Sequence, residues 1–369
     1  MWMLRSLFLG LLSALAAGPT AGPVCPPSRC THSSYWSPQR WRGTIGQQPI
    51  TLQLDSGRWG YTGSYYYDHR GQDLSLSQDK PKLRKPITLS EGRLPATGYL
   101  LVGSSLGPQL AGTWRSPNGR RNLPLALHET YTDAARYQNE TWELTRYKVE
   151  EGNDSIDSAH YEQEYLRVHL PHNPVAEQRL RRALDLPVPA AQMPQLLDTL
   201  VATQQSRQER YYFRGMKMVS YNSNYLLSVV QLDQFTSEAS NTGGREWWQG
   251  RTFDLHTGRQ LQLADLLMPG YQARLRQLLR KKLQAVWANS YYDNVGRTGK
   301  LPAGGFVVTA TGLCFAYDDR DDEDLAYPGP YHADREIEVE ISYHDLLPLI
   351  RVSGPLAPVL QERGLLPKK

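Results

Sequence analysis

From about residue 41 the chain alternates apolar and polar positions in short bursts. Ile50-Thr51-Leu52-Gln53-Leu54, Tyr61 to Tyr67, Leu74-Ser75-Leu76, Ile87-Thr88-Leu89, Tyr99 to Val102, Leu110 to Trp114 and Leu123 to Leu127 follow one another at short intervals. A period of two places every second side chain on one face, which is the signature of a half-buried strand. Asp55-Ser56-Gly57, His69-Arg70-Gly71 and Asn118-Gly119 read as the turns between them. The pattern predicts an antiparallel all-β module over residues 41–130.

The second half mixes two periods. Trp142 to Tyr147, Tyr161 to Leu170, Tyr211 to Tyr221, Tyr225 to Phe235, Arg245 to Leu255, Phe306 to Thr309, Leu313 to Tyr317 and Glu336 to Ile341 read as strands. Val175 to Leu186 has the helical period, with Ala176, Leu180, Ala183 and Leu184 on one face. Pro194 to Arg207 and Tyr271 to Trp287 repeat it, the latter with Leu275, Leu278, Leu279, Leu283 and Val286 as its stripe. His344 to Arg351 reads as a short helix. Strands grouped around a few helices predict an α+β region of antiparallel sheet over 139–352, divided at 210, with residues 353–369 as a tail.

The N-terminus adds an expectation about location. Arg5 precedes an apolar run from Leu7 to Ala17, followed by the small-x-small site Ala14-Leu15-Ala16, so residues 1–22 read as a secretory signal peptide and the mature chain as extracytoplasmic. Residues 23–40, rich in Pro and Ser, read as a linker. Outside the cytoplasm a Cys25–Cys30 disulfide is compatible with the C-x4-C spacing, while Gly22-Pro23-Val24-Cys25 fits a lipidation box poorly. Cys314, in the apolar run Gly312 to Tyr317, reads as a core thiol. No later stretch has the apolar length of a membrane span.

The formal charge is +4, or +3 once Arg5 is removed with the leader (4 − 1), too small for a nucleic-acid partner. The 22 Tyr and 9 Trp against 6 Phe favour amphipathic aromatics, which suit sheets and wet interfaces.

Two resemblances follow from particular motifs. Gly43-Thr44-Ile45-Gly46, Gly63-Ser64-Tyr65-Tyr66-Tyr67 and Gly112-Thr113-Trp114 resemble β-hairpin modules at the N-termini of exported proteins of Bacteroidetes-type bacteria. Tyr165-Leu166-Arg167-Val168-His169-Leu170-Pro171, Tyr225 to Val229, Phe253 to Leu267 and Gly312 to Tyr317 resemble the extracellular region of RsiV-type anti-sigma factors. That region pairs a PdaC-type domain (here 139–210) with a C-terminal RsiV-type domain (211–352). The resemblance implies extracytoplasmic binding of a protein such as lysozyme, and sensing as its purpose. The family's Gly-Gly-Ala-His-like turn is absent, since Gly243-Gly244 is followed by Arg245-Glu246.

Candidate chemistry is sparse. Gly103-Ser104-Ser105-Leu106-Gly107 matches G-x-S-x-G, but a strand and not a helix follows it, so it reads as a hairpin loop. His169 and His172 flank Pro171, which rules out a regular helical ligand pair. No cofactor and no metal site is expected. The ligand-binding candidates are Trp247, Trp248, Tyr291 and Tyr292 for stacking, and the acidic run containing Asp318, Asp319, Asp321, Asp322 and Asp324 for a basic partner. Adjacent strand residues face opposite sides, so at most one of each aromatic pair lines a given face. These readings make the chain an exported binding or sensing protein, its partner a basic extracellular protein or cell-wall glycan. The alternatives are a cell-wall or carbohydrate-active hydrolase using carboxylates that no motif reveals, and a structural envelope protein.

Overall fold

The computed structural model describes residues 31–35, 38–57, 60–78, 87–92, 95–103, 106–149, 156–184, 195, 210–237, 245–286, 299–318, 321 and 337–367. Within the stretch read as a linker, Thr31–Tyr35 forms β1, which ladders antiparallel with residues 139–143. Backbone pairing with an available sheet edge, which no side-chain pattern announces, makes this segment a strand.

The β-rich module is a closed barrel of eight antiparallel strands. They are β2 (Gln39–Ile45), β3 (Gln48–Gly57), β4 (Gly60–Tyr67), β5 (Leu74–Ser77), β6 (Ile87–Glu91), β7 (Gly98–Val102), β8 (Gln109–Arg115) and β9 (Asn122–Glu129). Each pairs with the next, and β9 closes on β2 through residues 41–45 and 125–129. Eight strands leave an interior that side chains can fill; Trp41, Ile45, Leu52, Leu54, Tyr65, Leu89, Leu100 and Val102 fill it here. The alternation in the sequence is this inside–outside alternation.

Three motif glycines have a steric reason. A Cβ on Gly43, Gly63 or Gly112 would lie 2.1 Å from a carbonyl oxygen of the adjacent strand. β3 runs on through Asp55, which pairs with Thr62, so the expected turn at Asp55-Ser56-Gly57 is a strand end. One carboxylate is buried in the barrel wall: Glu91 accepts from the Tyr65 hydroxyl, from Trp114 Nε1 at 2.9 Å and from Thr97 Oγ1 at 2.7 Å.

The second layer is a six-stranded sheet ordered β1-β10-β11-β12-β13-β14. Its further strands are β10 (Arg136–Val149), β11 (Ile156–His169), β12 (Arg210–Ser223), β13 (Leu226–Ser237) and β14 (Arg245–Asp254). All neighbours are antiparallel except β11 and β12, a parallel pair that needs a crossover connection. Helix α1 (Pro174–Leu184) lies on that crossover. Its Ala176, Leu180 and Leu184 pack with Leu166, Val168, Val229 and Phe253. Lys217, 1 % exposed, donates from Nζ to the Leu184 carbonyl at 2.8 Å, so a buried cation satisfies the helix's last turn.

The C-terminal layer comprises α2 (Leu263–Leu266), α3 (Tyr271–Val286), β15 (Val307–Val308), β16 (Gly312–Tyr317), β17 (Ile337–Ser342), α4 (Tyr343–Leu346), a 3-10 turn (Leu347–Leu349) and α5 (Ala357–Glu362). β15, β16 and β17 form a small antiparallel sheet. The stripe of α3, Leu275, Leu279 and Leu283, is buried against Phe306, Phe315, Ile341 and Leu360. The expected helix at His344–Arg351 is one turn of α-helix followed by the 3-10 turn, whose second residue is Pro348. Tyr66 from the outer barrel wall and Tyr221 from β12 belong to this same core, so three layers meet there. The architecture is α+β with an N-terminal all-β barrel. The helix expected at Pro194–Arg207 lies, apart from Gln195, outside the described residues. No helix among the described residues is long and apolar enough to cross a membrane.

Candidate ligand-binding cleft between the barrel and the second sheet

The outer faces of β3 and β4 and the last turn of β12 enclose a cavity of about 190 Å³. Its position follows from an ionic junction beside it. Arg40 on β2 is 1 % exposed. It donates from Nη1 to the Thr130 carbonyl at 3.0 Å and from Nη2 to Ser223 Oγ at 2.7 Å, and pairs with Asp133 at 3.2 Å. Arg42, two residues on and therefore on the same outer face, reaches Asp68 and Asp133 at 3.3 Å each and pairs with Glu362 of α5. Arg363 donates from Nε to the Ala310 carbonyl at 2.8 Å and lies 5.0 Å over the Tyr66 ring.

Asp133 also holds the hairpin between β12 and β13. Asn224 and Tyr225 both have positive φ, 54° and 62°, in the left-handed region that β-hairpin turns of this hand require. The Asn224 amide donates to Asp133 Oδ2 at 2.8 Å, and the Tyr225 amide donates to the Asp133 carbonyl at 2.7 Å. Tyr225 stacks on His256 with centroids 4.1 Å apart.

The electrostatics of the junction sort its groups. Burial opposes the Arg42 cation, but Glu362, Asp133 and Asp68 outweigh it and hold its pKa above the usual value. Burial likewise opposes the Asp133 anion, yet Arg40, the Asn224 amide and Arg42 lower its pKa. Asp68 goes the other way: burial and Glu362 outweigh Arg42 and raise it.

Within the cavity the charges are less well matched. Burial alone pushes the Asp55 carboxyl up to about 6, and its Oδ1 is buried without a hydrogen-bond donor. Asp73 sits at the mouth, open to solvent on one side; the enclosing protein pushes its carboxyl up to about 6, with Arg363 opposing and Glu340 adding to the rise. Arg40 borders the same cavity, and its Nε is buried without an acceptor. The remaining wall includes the side chains of Thr51, Ser64, Ser220 and Asn222. Native structures leave few buried polar atoms unpaired.

The residues singled out from sequence lie elsewhere. Trp248 is 1 % exposed and packs with Val230, Val307 and Ala316, so it is a core residue and not a stacking platform; Trp247, its neighbour on β14, is half-buried. Asp318 and Asp321 are buried and bond main-chain amides: Asp318 accepts from Trp248 N–H at 3.1 Å, and Asp321 accepts from Ala303 N–H at 2.6 Å and Asp318 N–H at 3.2 Å. They close the turn after β16, since a carboxylate beside spare amides satisfies them locally. Tyr291, Tyr292, Asp319, Asp322, Asp324, Cys25 and Cys30 lie outside the described residues, as do Ser104 and Ser105. Cys314 is a buried thiol, as its apolar run implies. His169 pairs with Glu177 at 2.9 Å. Among the described residues no group of three His, Cys, Asp or Glu converges as metal ligands would. Arg40, Asp55 and Asp73 escaped sequence reasoning because no motif links positions on two barrel strands and the loop before β5 to β12.

Comparison with protein families and with curated proteins returns no match for this sequence. Among solved structures, a DUF3298-family protein from Bacteroides fragilis aligns with 60 % of this chain and 95 % of its own, at a TM-score of 0.42 and 14 % identity. A DUF3298-family protein from Pseudomonas aeruginosa aligns with 58 % of this chain and 94 % of its own, at a TM-score of 0.40 and 15 % identity.

Proposed function

We propose that this protein is an extracytoplasmic binding protein whose ligand sits in the cleft between the barrel and β12. The observation that carries the reading is a cavity of about 190 Å³ whose wall is mostly polar and includes Arg40, Asp55 and Asp73. The leader-like N-terminus supports the location, and sensing or capture of an envelope ligand is the role that joins the two.

A hydrolase reading draws on Asp55 and Asp73, two carboxyl groups raised to about 6 at one cleft. Carboxylate pairs that divide acid and base duties have environments that push their pKa values apart; here both rise together. Binding is therefore the better account.

The test is a thermal-shift screen of small polar compounds against the mature chain and a Ser64→Trp variant, whose indole would occupy the cleft. A compound that raises the wild-type melting temperature and leaves the variant unmoved supports the reading. Equal shifts in both proteins, or turnover of a glycan substrate that Asp55→Asn abolishes, would overturn it.

A further inference from the structure

We infer that the outer face of α3 docks the protein on an anionic phospholipid surface, with its cations against the headgroups and Met268 and Val352 against the lipid interface. The inference lies outside the cleft and stands whatever the cleft binds.

The helix is built with one sign of charge. Tyr271–Val286 carries Arg274, Arg276, Arg280, Lys281 and Lys282 and no carboxylate. The whole chain has a formal charge of +4, so everything outside these five cations sums to −1 (4 − 5), and the positive charge is segregated here. Leu275, Leu279 and Leu283 are buried. At ~100° per residue, Arg274, Arg280 and Lys281 lie farthest around the helix from that stripe, and Arg276 and Lys282 flank it. All five are exposed. Arg274 donates to Gln277 at 2.6 Å, and none of the five pairs with a carboxylate among the described residues. Exposed arginines elsewhere do: Arg136 with Glu129, Arg167 with Glu140, Arg181 with Glu177 and Arg259 with Asp265. Glu338 and Glu340 of β17 alternate with Val339 and Ile341, which share the core with the α3 stripe, so those two carboxylates face away from the helix.

Two further observations choose the partner. Four large apolar side chains are exposed among the described residues, and two of them are here: Met268 at 43 % and Val352 at 53 %. Met268 stands just before α3, and its N–H donates to the Leu349 carbonyl at 2.8 Å, while Arg351 N–H donates to the Leu266 carbonyl at 2.9 Å. The segment that ends in Val352 therefore lies beside the one that leads into the helix. A dissolved polyanion offers such side chains nothing, whereas the headgroup layer of a membrane takes cations and apolar tips together. Spacing agrees. Arg274 to Lys282 covers about 12 Å of the axis at ~1.5 Å per residue. Cations spread over that length suit a field of separate headgroups and not one chelated phosphate.

The mature chain is sedimented with vesicles of phosphatidylcholine alone and of phosphatidylcholine mixed with phosphatidylglycerol. Salt is set at about 0.1 M and about 1 M, between which the screening length falls from roughly 10 Å to 3 Å. Binding to the anionic vesicles at low salt, about tenfold or more above the neutral ones and lost at high salt, is expected. Arg274→Gln, Arg280→Gln and Lys281→Gln together should weaken it by about tenfold or more, since each cation near the surface contributes roughly fivefold. Lys281→Glu alone, a single exposed change, should weaken it by about fivefold and serves if the triple variant melts early. Arg115→Gln, Arg120→Gln and Arg121→Gln remove the same charge from the exposed tip of the β8–β9 hairpin and should weaken binding by less than about twofold, because the charge lost is not at the docking face. Equal loss in the two triple variants reduces the effect to net charge and overturns the inference. Met268→Ser should weaken vesicle binding and leave any retention on immobilised polyphosphate unchanged. Retention on polyphosphate as tight as on vesicles, with Met268→Ser indifferent in both, makes the face a general polyanion site and overturns the lipid assignment. No binding to the anionic vesicles, or binding that survives the α3 variants, overturns the inference outright.

Discussion

Arg42, on the first barrel strand, forms an ion pair with Glu362 in the final helix, a partner 320 positions away in the chain. The same guanidinium holds Asp68 within the barrel and Asp133 between the layers. One side chain therefore ties three parts of the fold that no local pattern connects.

Replacing Arg42 by Met should destabilise the protein by about 2–4 kcal/mol, because three carboxylates lose their shared cation in a poorly hydrated site. Urea unfolding measures the loss. Arg42→Met combined with Glu362→Gln should recover part of it, since the double variant removes one of the stranded charges; simple addition of the two single effects would count against the coupling.

Asp55 sets a pH dependence of opposite sign to the usual carboxylate. Its folded pKa, about 6, lies above the ordinary aspartate value, so the folded state holds the proton more tightly than the unfolded chain. The stability this gives is complete below the unfolded pKa of about 4 and is lost as pH rises through 6. Asp55→Asn should therefore match wild type near pH 4 and exceed it by about 2 kcal/mol at pH 7. Chemical unfolding at both pH values checks this, and equal stabilities at pH 7 would show that the carboxylate is not short of a partner.

The barrel glycines separate steric need from composition. Gly63→Ala should cost about 2 kcal/mol or more, because its Cβ would meet the Gln53 carbonyl at 2.1 Å, a backbone atom that cannot swing away. Gly103→Ala, where nothing lies within 4 Å and φ is not positive, should be neutral or slightly stabilising. Thermal melts of the two variants test the contrast.

Glu91 makes the corresponding prediction inside the barrel. Tyr65, Trp114 and Thr97 all donate to its carboxylate. Glu91→Gln turns one acceptor oxygen into a donor facing donors, and should cost about 1–3 kcal/mol. Burial raises the Tyr65 pKa, and the bond to Glu91 adds to it. Spectrophotometric titration of wild type against a Tyr65→Phe variant should show one tyrosine fewer in the class that ionises only on unfolding.

Most barrel and sheet strands were legible from period two, and α1 and α3 from their apolar stripes, because those patterns follow from which face of an element meets the core. Thr31–Tyr35 was missed because a strand can form on backbone pairing alone. Asp55 reads as part of a turn because Asp-Ser-Gly is turn chemistry, yet its strand runs through it to Gly57. Trp248, Asp318 and Asp321 look like surface chemistry by residue type, and their roles as a core ring and amide-capping carboxylates depend on neighbours that only the fold brings together, such as the Trp248–Asp318 bond across 70 positions.

Local periodicity by itself determined that the chain is an α+β protein with an all-β N-terminal module, since burial of one face is written at intervals of two or about 3.6 residues. Tertiary structure alone decided that the module closes into a barrel, that β11 and β12 run parallel, and that Arg40, Asp55 and Asp73 border one cavity. Those facts rest on contacts between residues tens to hundreds of positions apart, and a hydrogen bond or ion pair at that range leaves no period in the sequence to read.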